Sequence, residues 1–274
     1  MLRKISNTEK NDIIRNIKVY GFSLISQLLK KNTKILFLKK IKKIYSNKGI
    51  PTTRLKGLPE RDSKDLRIYN LPNKGKIFID LITHKEFEKI LIPLINDPYY
   101  RFLPKTVPNY ILNSYTARSS GYKLDLHIDS IFPFQGNYPA SILILMVLEN
   151  MHEKNGCTVV IPGSHQSGTY TDRSLKEKKL IIAEAGDVLI MDSRTWHGTT
   201  ENQTESSRWL INALYTKWNL KQQVDFVNSI PNKIYNKLTN KQKQLLGFCS
   251  IPPKSETERI NTKNGYDFLK SYKR

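Results

Sequence analysis

The run Ile142–Leu148 holds seven consecutive apolar residues between Ser141 and Glu149. A bilayer-spanning helix needs about 20 such residues, so this run is a buried element of a folded core. Its length and content suit a strand covered on both faces. Strand-like segments surround it. Leu124–Asp129 alternates apolar and polar residues, while Gly156–Ile161, Gly186–Asp192 and Arg208–Tyr215 are short and apolar. Turn chemistry separates them at Asn150–Asn155, Pro162-Gly163-Ser164 and Glu201–Ser206. Asn109–Ala117 adds a further strand upstream, followed by a turn at Arg118–Gly121.

Three of these segments carry residues with chemistry. In Leu124–Asp129 the two-residue period puts His127 and Asp129 on one face. His197 follows much later, and Arg208 stands eleven residues beyond it at the head of the next strand. Two imidazoles and one carboxylate form the facial triad of non-haem Fe(II) oxygenases, which leaves coordination positions open. A guanidinium nearby offers a planar fork for a carboxylate, where Lys would supply only a point charge. The plain alternative for Arg208 is an exposed strand-end cation. Of the remaining histidines, His84 and His152 read as surface residues, and His165 as structural or substrate-facing.

The stretch resembles the phytanoyl-CoA dioxygenase family of Fe(II)/2-oxoglutarate oxygenases. The resemblance rests on His127, Asp129, His197 and Arg208, on Asn155–His165 with its Pro-Gly-Ser-His end, on Ala185–Asp192, and more weakly on Tyr20–Ile25. It covers roughly residues 15 to 220. It implies a mainly β fold with flanking helices around a double-stranded β-helix, of the jelly-roll or cupin-like kind. It also implies Fe(II) held by His127, Asp129 and His197, with 2-oxoglutarate as cosubstrate and O2 as oxidant. Arg208 would pair with the far carboxylate of the cosubstrate, helped by Thr199. The expected outcome is hydroxylation of an unactivated C–H bond of a small-molecule metabolite, with release of succinate and CO2. Because Asp129 is retained, a halide has no place on the metal, which favours hydroxylation over halogenation. Asn113 and Arg118, on the preceding strand and turn, are further candidates for cosubstrate or substrate contacts.

Charge is the compositional outlier, with 45 Lys and Arg against 24 Asp and Glu and a net charge of +21. Residues 1–67 hold 18 basic and 5 acidic side chains, residues 68–216 hold 15 of each, and residues 217–274 hold 12 against 4. The segment bearing the candidate site is therefore neutral, and the excess lies in the flanks at +13 and +8. This distribution speaks against nucleic acid as the substrate and reads as wet, Lys-rich faces. Cys157 and Cys249 have neither metal spacing nor a disulfide pattern. No signal-peptide core stands near Met1, so a cytoplasmic setting is expected.

The domain reading is one unit over 1–274: a basic strand, helix and loop region at 1–67, a catalytic core at 68–216 and a basic helical extension at 217–274. Residues 1–12 are expected to fray, Val19–Ser26 to form a strand, and Lys34–Tyr45 a helix capped at Asn32-Thr33 whose buried face is Ile35, Leu38, Ile41 and Tyr45. That helix is basic enough to lie on a membrane, although a core-packed role fits better. Gly49–Lys64 reads as a loop or cover. Thr83 and Glu86 suggest a capping box for a helix through Ile95. The aromatic loop Ser130–Ala140 is either a substrate wall or packing, Thr169–Lys179 suits a lid, and Thr239–Leu246 a short helix. Alternatives to the metabolite hydroxylase are a jelly-roll binding protein with a vestigial site, a zinc hydrolase that has no need of Arg208, and an oxygenase that uses its basic flanks on nucleic acid or at a membrane.

Overall fold

The computed structural model describes residues 1–46, 66–119, 121–130, 132–170, 177–256 and 265–272. The Gly49–Lys64 cover, and much of the lid expected over Thr169–Lys179, lie outside them. The strands are β1 (Phe22–Ile25), β2 (Leu66–Ile68), β3 (Ile111–Ser119), β4 (Leu124–His127), β5 (Ser141–Val147), β6 (Thr158–Val160), β7 (Lys179–Ile181), β8 (Val188–Asp192), β9 (His197–Thr199) and β10 (Trp209–Thr216). Two sheets result, a six-stranded one in the order β1-β8-β5-β10-β3-β2 and a four-stranded one in the order β4-β9-β6-β7. Every strand pair is antiparallel. The two sheets and the flanking helices make the jelly-roll architecture that the family resemblance implied.

The two-residue period of the large sheet separates two cores. Ile142, Ile144 and Met146 of β5, Ile211, Ala213 and Tyr215 of β10, and Tyr115 and Ala117 of β3 belong to one cluster, together with residues of the helices. Leu143, Leu145 and Val147 of β5 and Leu210 and Leu214 of β10 belong to the other, with Cys157 and Val160 from the small sheet's side. Both faces of β5 are covered, which is why its seven residues are all buried. A bulge sets the phase of β3: Leu214 pairs with Ser114 and Tyr215 with Leu112, so Asn113 has no partner on β10.

The N-terminus departs from expectation. Residues 1–12 do not fray: Leu2 and Ile5 are buried, and α1 (Asn7–Tyr20) begins at a Ser6 cap whose Oγ accepts from the Glu9 amide. The cause is tertiary, since the buried Glu86 carboxylate takes the Ile5 amide at 2.8 Å and so ties the chain start to a distant helix. The strand predicted over Val19–Ser26 is shortened to β1, because α1 runs on to Gly21. In α2 (Lys31–Ser46) the buried face is Thr33, Phe37 and Ile41 rather than one including Ile35, which is 54% exposed. The helix starts earlier than the expected cap, and the Thr33 hydroxyl donates to Met1 O instead.

Two helices cross behind the large sheet, α3 (Lys76–Ile82), which local pattern did not announce, and α4 (Lys85–Ile95). The cap of α4 is His84, whose Nδ1 accepts from the Glu86 amide, while Thr83 closes α3; the capping box assigned to Thr83 is not formed. Beyond β10 come α5 (Phe226–Ser229), α6 (Asn232–Tyr235), α7 (Asn240–Leu245) and α8 (Tyr266–Ser271). α7 is the short helix expected there, with a full capping box between Thr239 and Gln242. Phe226, Leu246 and Phe248 of this extension are wholly buried in the helix-side core. Among the described residues no helix is long and apolar enough to cross a membrane.

Candidate metal centre

The cavity of the barrel, about 600 Å³, opens between the concave face of the large sheet and the edge of the small one. β4 and β9 lie side by side in the small sheet, with His127 registered opposite His197. Gly198 makes that approach possible, since a Cβ there would collide with the Leu124 carbonyl. Asp129 lies just past β4, and its amide donates to Ser193 O at 2.9 Å, pinning it to the β8–β9 turn. The ligand atoms of His127, Asp129 and His197 all lie within 4.8 Å of one another. His127 Nε2 is 3.7 Å from Asp129 Oδ1, and His197 Nε2 is 3.5 Å from Oδ2.

Each imidazole is oriented by its other nitrogen. His127 Nδ1 lies 2.8 Å from Asp125 O and His197 Nδ1 2.9 Å from Thr195 O. A carbonyl only accepts, so both Nδ1 atoms carry a proton and both Nε2 atoms face the carboxylate. Fixing Nδ1 in this way is how a protein presents histidine to a metal. Burial and the neighbouring His197 push His127 below its ordinary value. Burial opposes the charge on His197, yet Asp129 outweighs it and raises the group. Burial likewise opposes the charge on Asp129, but attraction to His197 prevails and holds the carboxyl low. The donor set, two imidazole nitrogens and a carboxylate oxygen on one side of a cavity, fits a divalent iron-type ion with open positions.

The β8–β9 turn that carries His197 is stiffened from below. Arg194, 2% exposed, forks onto Asp192 with contacts of 2.7 and 3.0 Å and donates through Nη1 to Phe134 O and Gly136 O. Its guanidinium stacks on Phe134 at 4.3 Å. The aromatic loop thus packs against this turn; Phe132, Phe134 and Tyr138 do not line the cavity. His165, 2% exposed, sits outside it as well, with Nε2 beside Lys18 O at 3.1 Å, so its role is structural. Gly21 completes the corner with φ +87°: its carbonyl accepts from the Asp192 amide and the Thr195 hydroxyl, and a Cβ would strike Thr195 Oγ1 and come within 2.9 Å of His165 Nδ1. His152 is exposed, as expected.

Arg208 is 1% exposed and lines the cavity. It is no strand-end surface cation. Its amide donates to Ser119 Oγ at 2.8 Å and Nη1 lies 3.6 Å from Met151 Sδ. Thr199 lines the same space; its hydroxyl accepts from the Leu124 amide and donates to Tyr122 O at 3.2 Å. An acceptor in the cavity therefore competes with Tyr122 O for that proton. Arg118 also faces in, whereas Asn113, at the bulge, turns away and donates to Lys221 O at 3.1 Å. Arg67, Ser114, Thr116, Thr158 and Asn212 were not foreseen. Asn212 was legible, because it lies at even spacing from Arg208 along one strand. Its Oδ1 is buried with no hydrogen-bond partner among the described residues.

The fold is a jelly roll that gathers two imidazoles and a carboxylate at one cavity. Residues 19–209 match the phytanoyl-CoA dioxygenase family over most of the chain, and the protein belongs to that family, whose members use Fe(II), 2-oxoglutarate and O2. An uncharacterized protein of Mycobacterium tuberculosis is 30% identical over 115 residues, covering 41% of this chain and 42% of that protein. The dioxygenase af480 of Aspergillus fumigatus is 24% identical over 193 residues, 68% of this chain and 60% of the fungal enzyme. The matches thus span less than two thirds of these relatives' own lengths. In structure, the 2-oxoglutarate-dependent carbocyclase SnoK from nogalamycin biosynthesis aligns with a TM-score of 0.60 at 17% identity, over 75% of this chain and 83% of SnoK. HygX from Streptomyces hygroscopicus, crystallised with nickel and 2-oxoglutarate, gives a TM-score of 0.60 at 16% identity, over 77% and 88%. At such identities the likeness is one of fold.

Proposed function

We propose that the protein hydroxylates an unactivated C–H bond of a small-molecule metabolite, with Fe(II) held by His127, Asp129 and His197 and 2-oxoglutarate anchored by Arg208 and Thr199. The observation that carries this reading is the convergence of the three donor atoms within 4.8 Å in the cavity that also contains the buried Arg208. When bound, iron and 2-oxoglutarate supply the oxidising chemistry, consuming O2 and releasing succinate and CO2. The chain's own part is positioning. Asp125 O and Thr195 O hold the two imidazoles with Nε2 inward, and the Ser193 carbonyl keeps the Asp129 backbone in reach. Arg208 offers a planar fork to a carboxylate in a space also lined by Leu143, Leu145, Leu210 and Leu214.

Arg208 also favours this reading over zinc-dependent hydrolysis, which has no use for a buried guanidinium beside the metal. We take residues 1–274 to act as one unit, because side chains from Leu2 to Leu269 share the helix-side core. The test is 2-oxoglutarate consumption by the iron-loaded protein across a metabolite panel, read together with oxygenated product. Turnover of 2-oxoglutarate that a panel member stimulates is the expected result. Activity that persists without 2-oxoglutarate and O2 would overturn it.

A further inference from the structure

The cavity floor carries a neutral polar stripe that neither the metal nor its cosubstrate completes. Asn212 of β10 is registered opposite Thr116 of β3 on one side and Leu145 of β5 on the other. In the next row facing the cavity, Leu214 stands between Ser114 and Leu143. All six side chains line the cavity. Directly opposed side chains on one face are about 5 Å apart and diagonal ones about 7–8 Å, so Ser114, Thr116 and Asn212 form one patch. Leu143 and Leu145 give it an apolar border along β5. Asn212 Oδ1 is buried and has no hydrogen-bond partner. Among the described residues the Ser114 and Thr116 hydroxyls make no hydrogen bond either.

The chemistry of these groups selects a ligand. At neutral pH 2-oxoglutarate presents only acceptor oxygens, and so does the carbonyl end of an Asn amide. The cosubstrate therefore leaves Oδ1 bare, and the missing donor belongs to another molecule. A hydroxyl fits the patch, because it gives its proton to Asn212 Oδ1 and takes one from Thr116 or Ser114. An ammonium fits less well, since Asp129 is the acidic group among the described lining residues and the metal would claim it. An Asn kept only for packing has no advantage over Leu here, because burying an unpaired amide oxygen costs stability. We propose that Asn212 and Thr116, with Ser114 beside them, select the substrate by taking a hydroxyl-bearing edge of a metabolite whose opposite face is apolar. This rests on the oxygenase reading given above and narrows its substrate class.

The test uses the full chain with Zn(II), a diamagnetic stand-in for iron, and 2-oxoglutarate. Ligand-observed NMR follows titration with cyclohexane-1,2-diol, octane-1,2-diol and the dimethyl ether of each; methylation removes the donor and keeps the oxygen. At least one diol should bind saturably and about tenfold or more tighter than its ether. Asn212→Leu and Thr116→Val keep the shape and remove the polar group. Each should weaken that diol about three- to tenfold and leave the ether unchanged, and Asn212→Leu should melt no lower than wild type. Thr116→Val, the milder change, carries the same comparison on its own. In parallel, the visible charge-transfer band of Fe(II) with 2-oxoglutarate should form in wild type and in Asn212→Leu alike. No saturable diol binding, equal binding of diol and ether, or full diol preference in either folded variant would overturn the proposal. Loss of the band in folded Asn212→Leu would assign the amide to the cosubstrate and overturn it too. A missing band in wild type with the diol preference intact would instead sink the oxygenase reading and leave the hydroxyl site standing.

Discussion

The two faces of the six-stranded sheet are built from the same strands and do opposite work. Towards the helices, β5 and β10 present Ile142, Ile144, Met146, Ile211, Ala213 and Tyr215, and the one polar group among them is spent: Tyr215 Oη donates to Ile82 O at 2.9 Å. Towards the cavity, β10 and the residue before it alternate Arg208, Leu210, Asn212 and Leu214, and β3 offers Ser114, Thr116 and Arg118. A one-residue step along a strand thus moves from stability to chemistry. A buried polar atom without a hydrogen bond is expensive in a core and is kept where a ligand completes it; among the described residues Asn212 Oδ1 on the cavity face is such an atom. The convex, helix-facing side is packed with apolar residues, and the concave side mixes apolar residues with polar and charged ones.

Substitutions on each face should therefore report different quantities. The largest effect is on the cavity side: His127→Ala should drop iron binding and 2-oxoglutarate turnover to background while the metal-free protein unfolds within about 0.5 kcal/mol of wild type, as titration calorimetry and denaturant melts will show. Ile144→Ala, one step from the cavity lining, should cost about 2–5 kcal/mol of stability. Its 2-oxoglutarate affinity, measured on the folded fraction, should be that of wild type; a large change would mean the faces are coupled. Arg208→Lys should weaken 2-oxoglutarate binding by roughly 10- to 100-fold, as expected for losing a bidentate charge-assisted pair, with little change in the metal-free melting point.

Acid should act on the convex side through Glu86. Burial opposes its charge, but the hydrogen bonds from Lys89 and the Ile5 amide outweigh that and hold the carboxyl below its ordinary value. A carboxyl with a depressed folded pKa stabilises fully above its unfolded value and loses that contribution as pH falls through the folded one. Glu86→Gln should therefore cost about 2 kcal/mol at neutral pH and narrow the gap to wild type below about pH 4, followed by thermal melts across pH. His152→Ala, on the surface, is expected to leave iron binding, turnover and stability all unchanged within about 0.5 kcal/mol.

Much of the fold and the candidate site was written in local pattern. The order of His127, Asp129, His197 and Arg208 is legible in the sequence, the eleven-residue step from His197 to Arg208 spans a turn and two strand ends, and the apolar run of β5 announces a doubly covered strand, whereas Asp129 lies past the end of β4 and is held by Ser193 O rather than by strand alternation. What stayed hidden depends on distant partners. Ile5 and the start of α1 are ordered by Glu86, which lies 81 residues away. By contrast, the inward turn of Arg118 and the outward turn of Asn113 follow from plain alternation along β3, in which Asn113 shares a face with Tyr115 and Ala117 while Ser114, Thr116 and Arg118 line the cavity. Arg67 lies on a three-residue edge strand, too short for any period to show, and becomes visible only through its pairing with Arg118. Thr83 and His84 compete for one cap, and the choice fell to the residue that the end of α3 left in extended conformation.

The most direct test is anomalous scattering at the iron edge from crystals grown anaerobically with Fe(II) and 2-oxoglutarate. The expected result is one strong peak at bonding distance from Nε2 of His127, Nε2 of His197 and a carboxylate oxygen of Asp129, with the far carboxylate of 2-oxoglutarate on the Arg208 guanidinium. A peak lying elsewhere, or a cavity without iron under saturating metal, would contradict the account.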